Sequence, residues 1–216
     1  MEDDRMSYEF PPKNMNGNFK NFKHDIVAVT RSKKDDCSTE FCKELRGRIQ
    51  VYDLDSIKDE WSEMRHSNFK GAKLCSADCY FKASDGIYYF IEFKKSTLQG
   101  LNEIDNEEGL PLYVSLRRKA VDSLGLASMT ILQDQTGKYI QDHAIFIVVY
   151  RSSAEEKLSV LEINKSLTKL ASGADSVNRS YPIMWSLDKL RDWGLYRDVH
   201  TWPEDVFVSW AKLNLK

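Results

Sequence analysis

The residues with the clearest chemical potential lie on two short strand-like segments, Ser76-Ala77-Asp78-Cys79-Tyr80-Phe81 and Tyr88-Tyr89-Phe90-Ile91-Glu92-Phe93-Lys94. Side chains alternate along a strand, so Tyr88, Phe90, Glu92 and Lys94 share one face while Ile87, Tyr89, Ile91 and Phe93 share the other. A carboxylate and an amine ending an otherwise apolar strand need a specific partner, because burying unpaired charge is costly. The turn decides whether Asp78 is that partner. A two-residue Asp85-Gly86 turn would pair position 84 with 87 and 78 with 93, leaving Asp78 on the wrong face. A three-residue loop of Ser84, Asp85 and Gly86, with glycine in the left-handed position, pairs 83 with 87 and hence 78 with 92. Opposed residues hold their Cβ atoms roughly 5 Å apart, from which two carboxylates can converge on one hard cation. Asp78 and Glu92 are therefore expected to hold Mg²⁺ or Mn²⁺. Lys94, on the same face, could orient or deprotonate a water and offset phosphate charge, which is what hydrolysis of a phosphodiester requires.

An Asp on one strand of a hairpin, thirteen intervening residues, then Glu92-Phe93-Lys94 resembles the PD-(D/E)XK nuclease superfamily, which includes type II restriction enzymes and archaeal Holliday-junction resolvases. Ala77 stands where that family usually has proline; proline is not a ligand, so the departure is expected to be harmless. The resemblance covers roughly Ser56 to Tyr150. It implies an α/β, restriction-endonuclease-like fold, a mixed central sheet flanked by helices, and a Mg²⁺-dependent hydrolase acting on nucleic acid, DNA by default. It also implies an acidic residue from a helix preceding the hairpin, for which Glu60 is favoured over Glu44. Phosphate contacts are expected from Lys95 and from the run Arg117-Arg118-Lys119, with Arg118 the chosen member. The alternative is a catalytically inactive version of the fold, acting as a nucleic-acid- or protein-binding subunit. An unrelated α/β protein in which Asp78, Glu92 and Lys94 merely pair would bind no metal there.

Elements of suitable length surround the hairpin. Phe41, Cys42, Leu45 and Ile49 predict a helix from Ser38 to about Arg46. A second helix is predicted from Ser56 to about Arg65, with Ser56, Asp59 and Glu60 resembling a capping box and Ile57, Trp61 and Met64 forming a stripe. After two strands over 73–82 and 87–95, Pro111 stands where a helix can start, and Leu112, Leu116, Ala120 and Leu124 recur every fourth residue. The apolar run from Ala144 to Tyr150 reads as a strand buried on both faces, and strand, helix, strand implies a parallel crossover. Ser153 to Ala171 reads as a further helix ending at Gly173. The remainder, with Trp185, Trp193, Trp202 and Trp210, is expected to pack around the sheet. Residues 1–24, with Pro11-Pro12 and Asn16-Gly17-Asn18, read as a flexible arm, and 25–216 as one domain.

A chain of 216 residues, 42% hydrophobic and 30% charged, suits a single globular domain. Its net charge of −2 argues against a wholly basic surface for nucleic acid and leaves room for a local basic groove. With no apolar run long enough for a membrane span and no apolar stretch behind Met1-Glu2-Asp3-Asp4-Arg5, a cytoplasmic protein without membrane partners is expected. Homodimerisation would suit an enzyme that cuts two strands. Cys37 and Cys42, and Cys75 and Cys79, are too few for a disulfide framework; the second pair, on one extended strand, is too far apart for a tight zinc chelate. They read as small core residues. The four histidines show no spacing that suggests a metal helix or a hydrolase triad.

Overall fold

The structure, a computed structural model, describes residues 22–30, 40–64, 74–94, 104–105, 110–130, 132, 135, 137–151 and 183–215. In chain order its elements are β1 (Lys23–Asp25), α1 (Ile26–Val29), a 3-10 turn (Lys43–Leu45), β2 (Gln50–Asp53), α2 (Leu54–Met64), β3 (Cys79–Lys82) and β4 (Tyr88–Lys94). Then come β5 (Ile104–Asp105), β6 (Leu110–Pro111), α3 (Leu112–Thr130), α4 (Gly137–His143), β7 (Ala144–Tyr150), α5 (Asp188–Asp192), β8 (Asp198–Pro203) and α6 (Glu204–Asn214). Six strands form one mixed sheet in the order β1-β2-β3-β4-β7-β8, flanked by helices, and β5 pairs with β6 apart from it. The first four are antiparallel neighbours, whereas β7 runs parallel to β4 and β8 parallel to β7.

Strand β4 organises both layers of the core. Tyr88 and Phe90 pack with Tyr80, Leu112, Leu116, Ala120 and Phe146 on one side of the sheet. Tyr89, Ile91 and Phe93 pack with Val51, Cys79, Ile147 and Phe207 on the other. This is the two-residue alternation read from the sequence, and the buried strand at Ala144–Tyr150 is parallel to β4 as the crossover argument requires. Cys42 and Cys79 are buried within the second of these layers, and Cys75 is buried as well. No helix among the described residues is long and apolar enough to cross a membrane.

Several expectations are corrected. Residues 22–24, assigned to the arm, belong to the fold: Lys23 and His24 pair with Tyr52 and Val51 in β1, while residues 1–21 lie outside the described residues. The helix expected over 38–46 is absent between 40 and 46. Cys42 adopts φ +55°, a left-handed conformation that a right-handed helix cannot pass through, and only the 3-10 turn follows. Helix α2 starts two residues before Ser56, because Asp53 caps it: its carboxylate accepts the Ser56 N–H at 3.1 Å and the Ser56 hydroxyl at 2.7 Å. The strand expected from residue 73 begins at Cys79. The C-terminal part does more than pack around the sheet, since β8 extends it beyond β7. The helix expected over 153–171 lies outside the described residues.

Loop geometry at the hairpin gives a direct test. Gly86 has φ +85°, so Gly86→Val is expected to cost about 1–2 kcal/mol of stability in urea unfolding. Unchanged stability would show that the loop does not need a left-handed residue there.

Candidate active site

The loop sets the geometry. Gly86 N–H donates to Ala83 O at 3.1 Å and Ala83 N–H to Ile87 O at 2.9 Å, while the Asp85 carboxylate accepts the Ile87 N–H at 3.0 Å. The resulting register pairs Lys82 with Tyr88 and Cys79 with Ile91. One step further, Asp78 stands opposite Glu92, the parity expected for a three-residue loop. Asp78 is fixed from both sides: its Oδ2 accepts the Phe93 N–H at 2.6 Å, and its carbonyl accepts the Leu54 N–H at 3.2 Å at the start of α2.

The Glu92 side chain is 1% exposed, and two ammonium groups share its Oε1. Lys119 Nζ lies at 2.8 Å and Lys94 Nζ at 3.2 Å, each side chain 16% exposed. The second oxygen, Oε2, is buried with no hydrogen-bond partner among the described residues. Burial, then the Glu92 charge, pushes the Asp78 carboxyl up to about 8, against the opposing effects of Lys119 and the Phe93 N–H. Burial works to lower the Lys119 ammonium, but the charges of Glu92 and Asp78, the hydrogen bond to Glu92 and the charge of Asp55 outweigh it and hold the group above the ordinary lysine range.

Helix α3 delivers Lys119 through a latch in its own middle turn. The Ser123 hydroxyl donates to Lys119 O at 2.6 Å and accepts the Ala77 N–H at 2.7 Å. One residue away, Asp122 accepts the Cys75 N–H at 3.0 Å. The helix turn that carries Lys119 is thus bonded to the backbone immediately before Asp78. Proline has no N–H, so alanine rather than proline at position 77 has a structural consequence: its amide makes the latch.

The other expected site residues fall differently. Of the three bases on α3, Lys119 is the one that meets Glu92. Arg118 pairs with Asp122 at 3.7 Å, and Arg117 donates to Ser186 O at 2.8 Å between the rings of Tyr113 and Trp193. At about 100° per residue, Lys119 falls about 20° from Leu112, between it and the buried Leu126, whereas Arg117 and Arg118 lie more than about 100° away from Leu112. That signal was present in the sequence. Glu44 is exposed and pairs with Lys212 of α6, away from the hairpin's charged face. From α2 the carboxylate coupled to the site is Asp55 rather than the expected Glu60. Asp55 accepts the Ser76 hydroxyl at 2.7 Å and contributes to the fields at Asp78 and Lys119. Burial raises the Asp55 carboxyl, but its bond and charge interaction with Lys58, the Ser76 hydroxyl and Lys119 bring it below the usual range. Glu60 is five positions on, turned about 140° around the helix from Asp55. Lys95 lies outside the described residues.

Two opposed carboxylates, one with a buried oxygen that has no hydrogen-bond partner among the described residues, form a donor set that fits a hard divalent cation. No group of three or more ligating side chains that could hold a metal occurs among the described residues. Two carboxylates still suit Mg²⁺, which is commonly held by one or two carboxylates together with waters and substrate phosphates.

No family model matches the chain, and searches of curated proteins and of solved structures likewise gave no match.

The latch can be tested by a double-mutant cycle in urea. Ser123→Ala leaves the buried Ala77 amide without its acceptor, and Ala77→Pro removes the amide itself; each is expected to cost about 1–3 kcal/mol. The double variant should fall short of the sum of the two, because both remove the same bond. Full additivity would show that the latch contributes nothing.

Proposed function

We propose that the chain is a metal-dependent phosphodiesterase that hydrolyses nucleic acid, most simply DNA, on a restriction-endonuclease-like fold. The observation that carries this reading is the opposition of Asp78 and Glu92 across a hairpin, with Lys94 on the same face and a buried Glu92 oxygen that has no hydrogen-bond partner among the described residues. A mixed sheet in which the Glu-X-Lys strand lies between an antiparallel and a parallel neighbour is compatible with the fold that the PD-(D/E)XK resemblance implies.

Asp78 and Glu92 would hold Mg²⁺ or Mn²⁺, whose contribution when bound is to neutralise charge on the phosphoryl oxygens and to acidify water. Lys94 is well placed for the remaining work. Its ammonium is 3.2 Å from Glu92 and 16% exposed, so it is held by the carboxylate while still reachable from solvent. From there it can hydrogen-bond an attacking water and offset charge on the scissile phosphate. The Phe93 N–H orients the Asp78 carboxylate at 2.6 Å, which limits its freedom to turn away.

A second reading is favoured by one observation. Glu92 already has two ammonium groups on a single oxygen, and a carboxylate so neutralised could belong to a fold that binds nucleic acid or protein without cutting anything.

Cleavage assays separate the two. Linear, circular, branched and single-stranded DNA, and RNA, would be incubated with Mg²⁺ or Mn²⁺ and with chelator. For a nuclease, chelator abolishes cleavage, and Lys94→Ala or Asp78→Asn lowers kcat by about a hundredfold or more. Wild-type protein that cleaves none of these substrates, yet retains nucleic acid in a gel-shift assay, would establish the binding role instead.

A further inference from the structure

Lys119 is a third charged side chain at the Glu92–Lys94 pair, contributed by a different element and brought there by bonds of its own. Its ammonium makes the shorter of the two contacts to Glu92 Oε1, 2.8 Å against 3.2 Å for Lys94. Its backbone is tied through Ser123 to Ala77, so the contact is built from the strand side as well as from the helix. A lysine on the buried arc of a helix loses conformational freedom and hydration to be there. Such a placement needs a return beyond simple packing. Glu92 gives part of it, since an ionised carboxylate that is 1% exposed is stable only when compensated. One lysine would supply that compensation, and two are present.

Resting on the proposal that Asp78 and Glu92 hold a divalent cation, we infer that Lys119 is the resident counter-ion of Glu92 and competes with that cation for the carboxylate. With no cation present, the two ammonium groups keep the buried acid compensated and the hairpin stable. When a dication approaches Asp78 and Glu92, it meets an ammonium already seated on Oε1. The repulsion weakens its binding until Lys119 withdraws or finds another anion, and a substrate phosphate is an anion of the right kind. The consequence is a site with deliberately modest affinity for the cation alone, tightened when phosphate is also present. A purely structural Lys119, by contrast, would hold Glu92 in the orientation the cation needs, and its loss would weaken cation binding.

The test is calorimetric titration of the full chain with Mn²⁺, free of nucleic acid, comparing wild type with Lys119→Met, Lys119→Gln and Lys119→Arg. Methionine keeps much of the side-chain volume, and glutamine retains a donor toward Glu92 without charge, so one variant guards against misfolding of the other; circular dichroism and thermal melting check both. The uncharged variants should bind Mn²⁺ about tenfold or more tightly than wild type, as removal of a nearby like charge requires, and Mn²⁺ should raise their melting temperature more. Lys119→Arg should stay close to wild type. If wild type binds Mn²⁺ and both uncharged variants bind it equally or more weakly, the competition is refuted while the metal site stands. If neither the wild type nor any variant binds Mn²⁺, the metal-site reading itself falls and takes this inference with it.

Discussion

A carboxylate that is 1% exposed on an otherwise apolar strand governs how this molecule is put together. Glu92 lies in the middle of the sheet, between β3 and β7, and its neighbours along the same face are Tyr88 and Phe90. An ionised group in that setting is tolerated only with close compensation, because the cost of leaving it unpaired exceeds what a marginally stable domain can absorb. The compensation comes from two directions: Lys94 from the same strand and Lys119 from the helix that crosses to β7. The position of α3 along the sheet, the Ser123 latch and the approach of residues 75–78 to that helix all serve the same contact.

Asp78 adds a second acid where one is already difficult to accommodate. Burial and the Glu92 charge together push its carboxyl up to about 8, so Asp78 resists ionising where it stands. That frustration has no packing benefit, and a chain selected for stability alone would do better with an apolar residue at either position. Local rules are most often broken where function requires it, which is the physical ground for reading this hairpin as a site. The lysines temper the same field, and under the proposed metal-site reading the balance between carboxylates, ammonium groups and a dication would set the chemistry available.

Much of this was legible in the sequence, and the parts that were not have identifiable causes. The register of the hairpin followed from loop parity, since a period of two admits only one face for Asp78 once the loop length is chosen. Strand β7 and helix α3 followed from long, clean patterns. Strand β8 did not, because Asp198–Pro203 mixes His200, Thr201 and Trp202 in a run that ends in proline. The helix expected near Phe41 and Leu45 was a misread period: those side chains are buried, but they reach the core through a left-handed residue and a 3-10 turn. The acid from α2 was assigned to Glu60 because it borders the stripe of Ile57, Trp61 and Met64; with Asp53 as cap the helix starts before Ser56, and Asp55 falls in its first turn beside Ser76. Lys119 was passed over within a run of three bases whose angular positions on the helix distinguish them. Long-range partners such as Ser123 for Ala77 leave no local signature at all.

The most direct test of the central claim is diffraction from crystals soaked in Mn²⁺, with data collected near the manganese absorption edge. An anomalous peak about 2.1 Å from oxygens of both Asp78 and Glu92, lost in Asp78→Asn crystals soaked in the same way, is the expected result. Wild-type crystals with no peak at the hairpin, or with manganese bound elsewhere, would contradict the assignment of these two carboxylates to a metal centre.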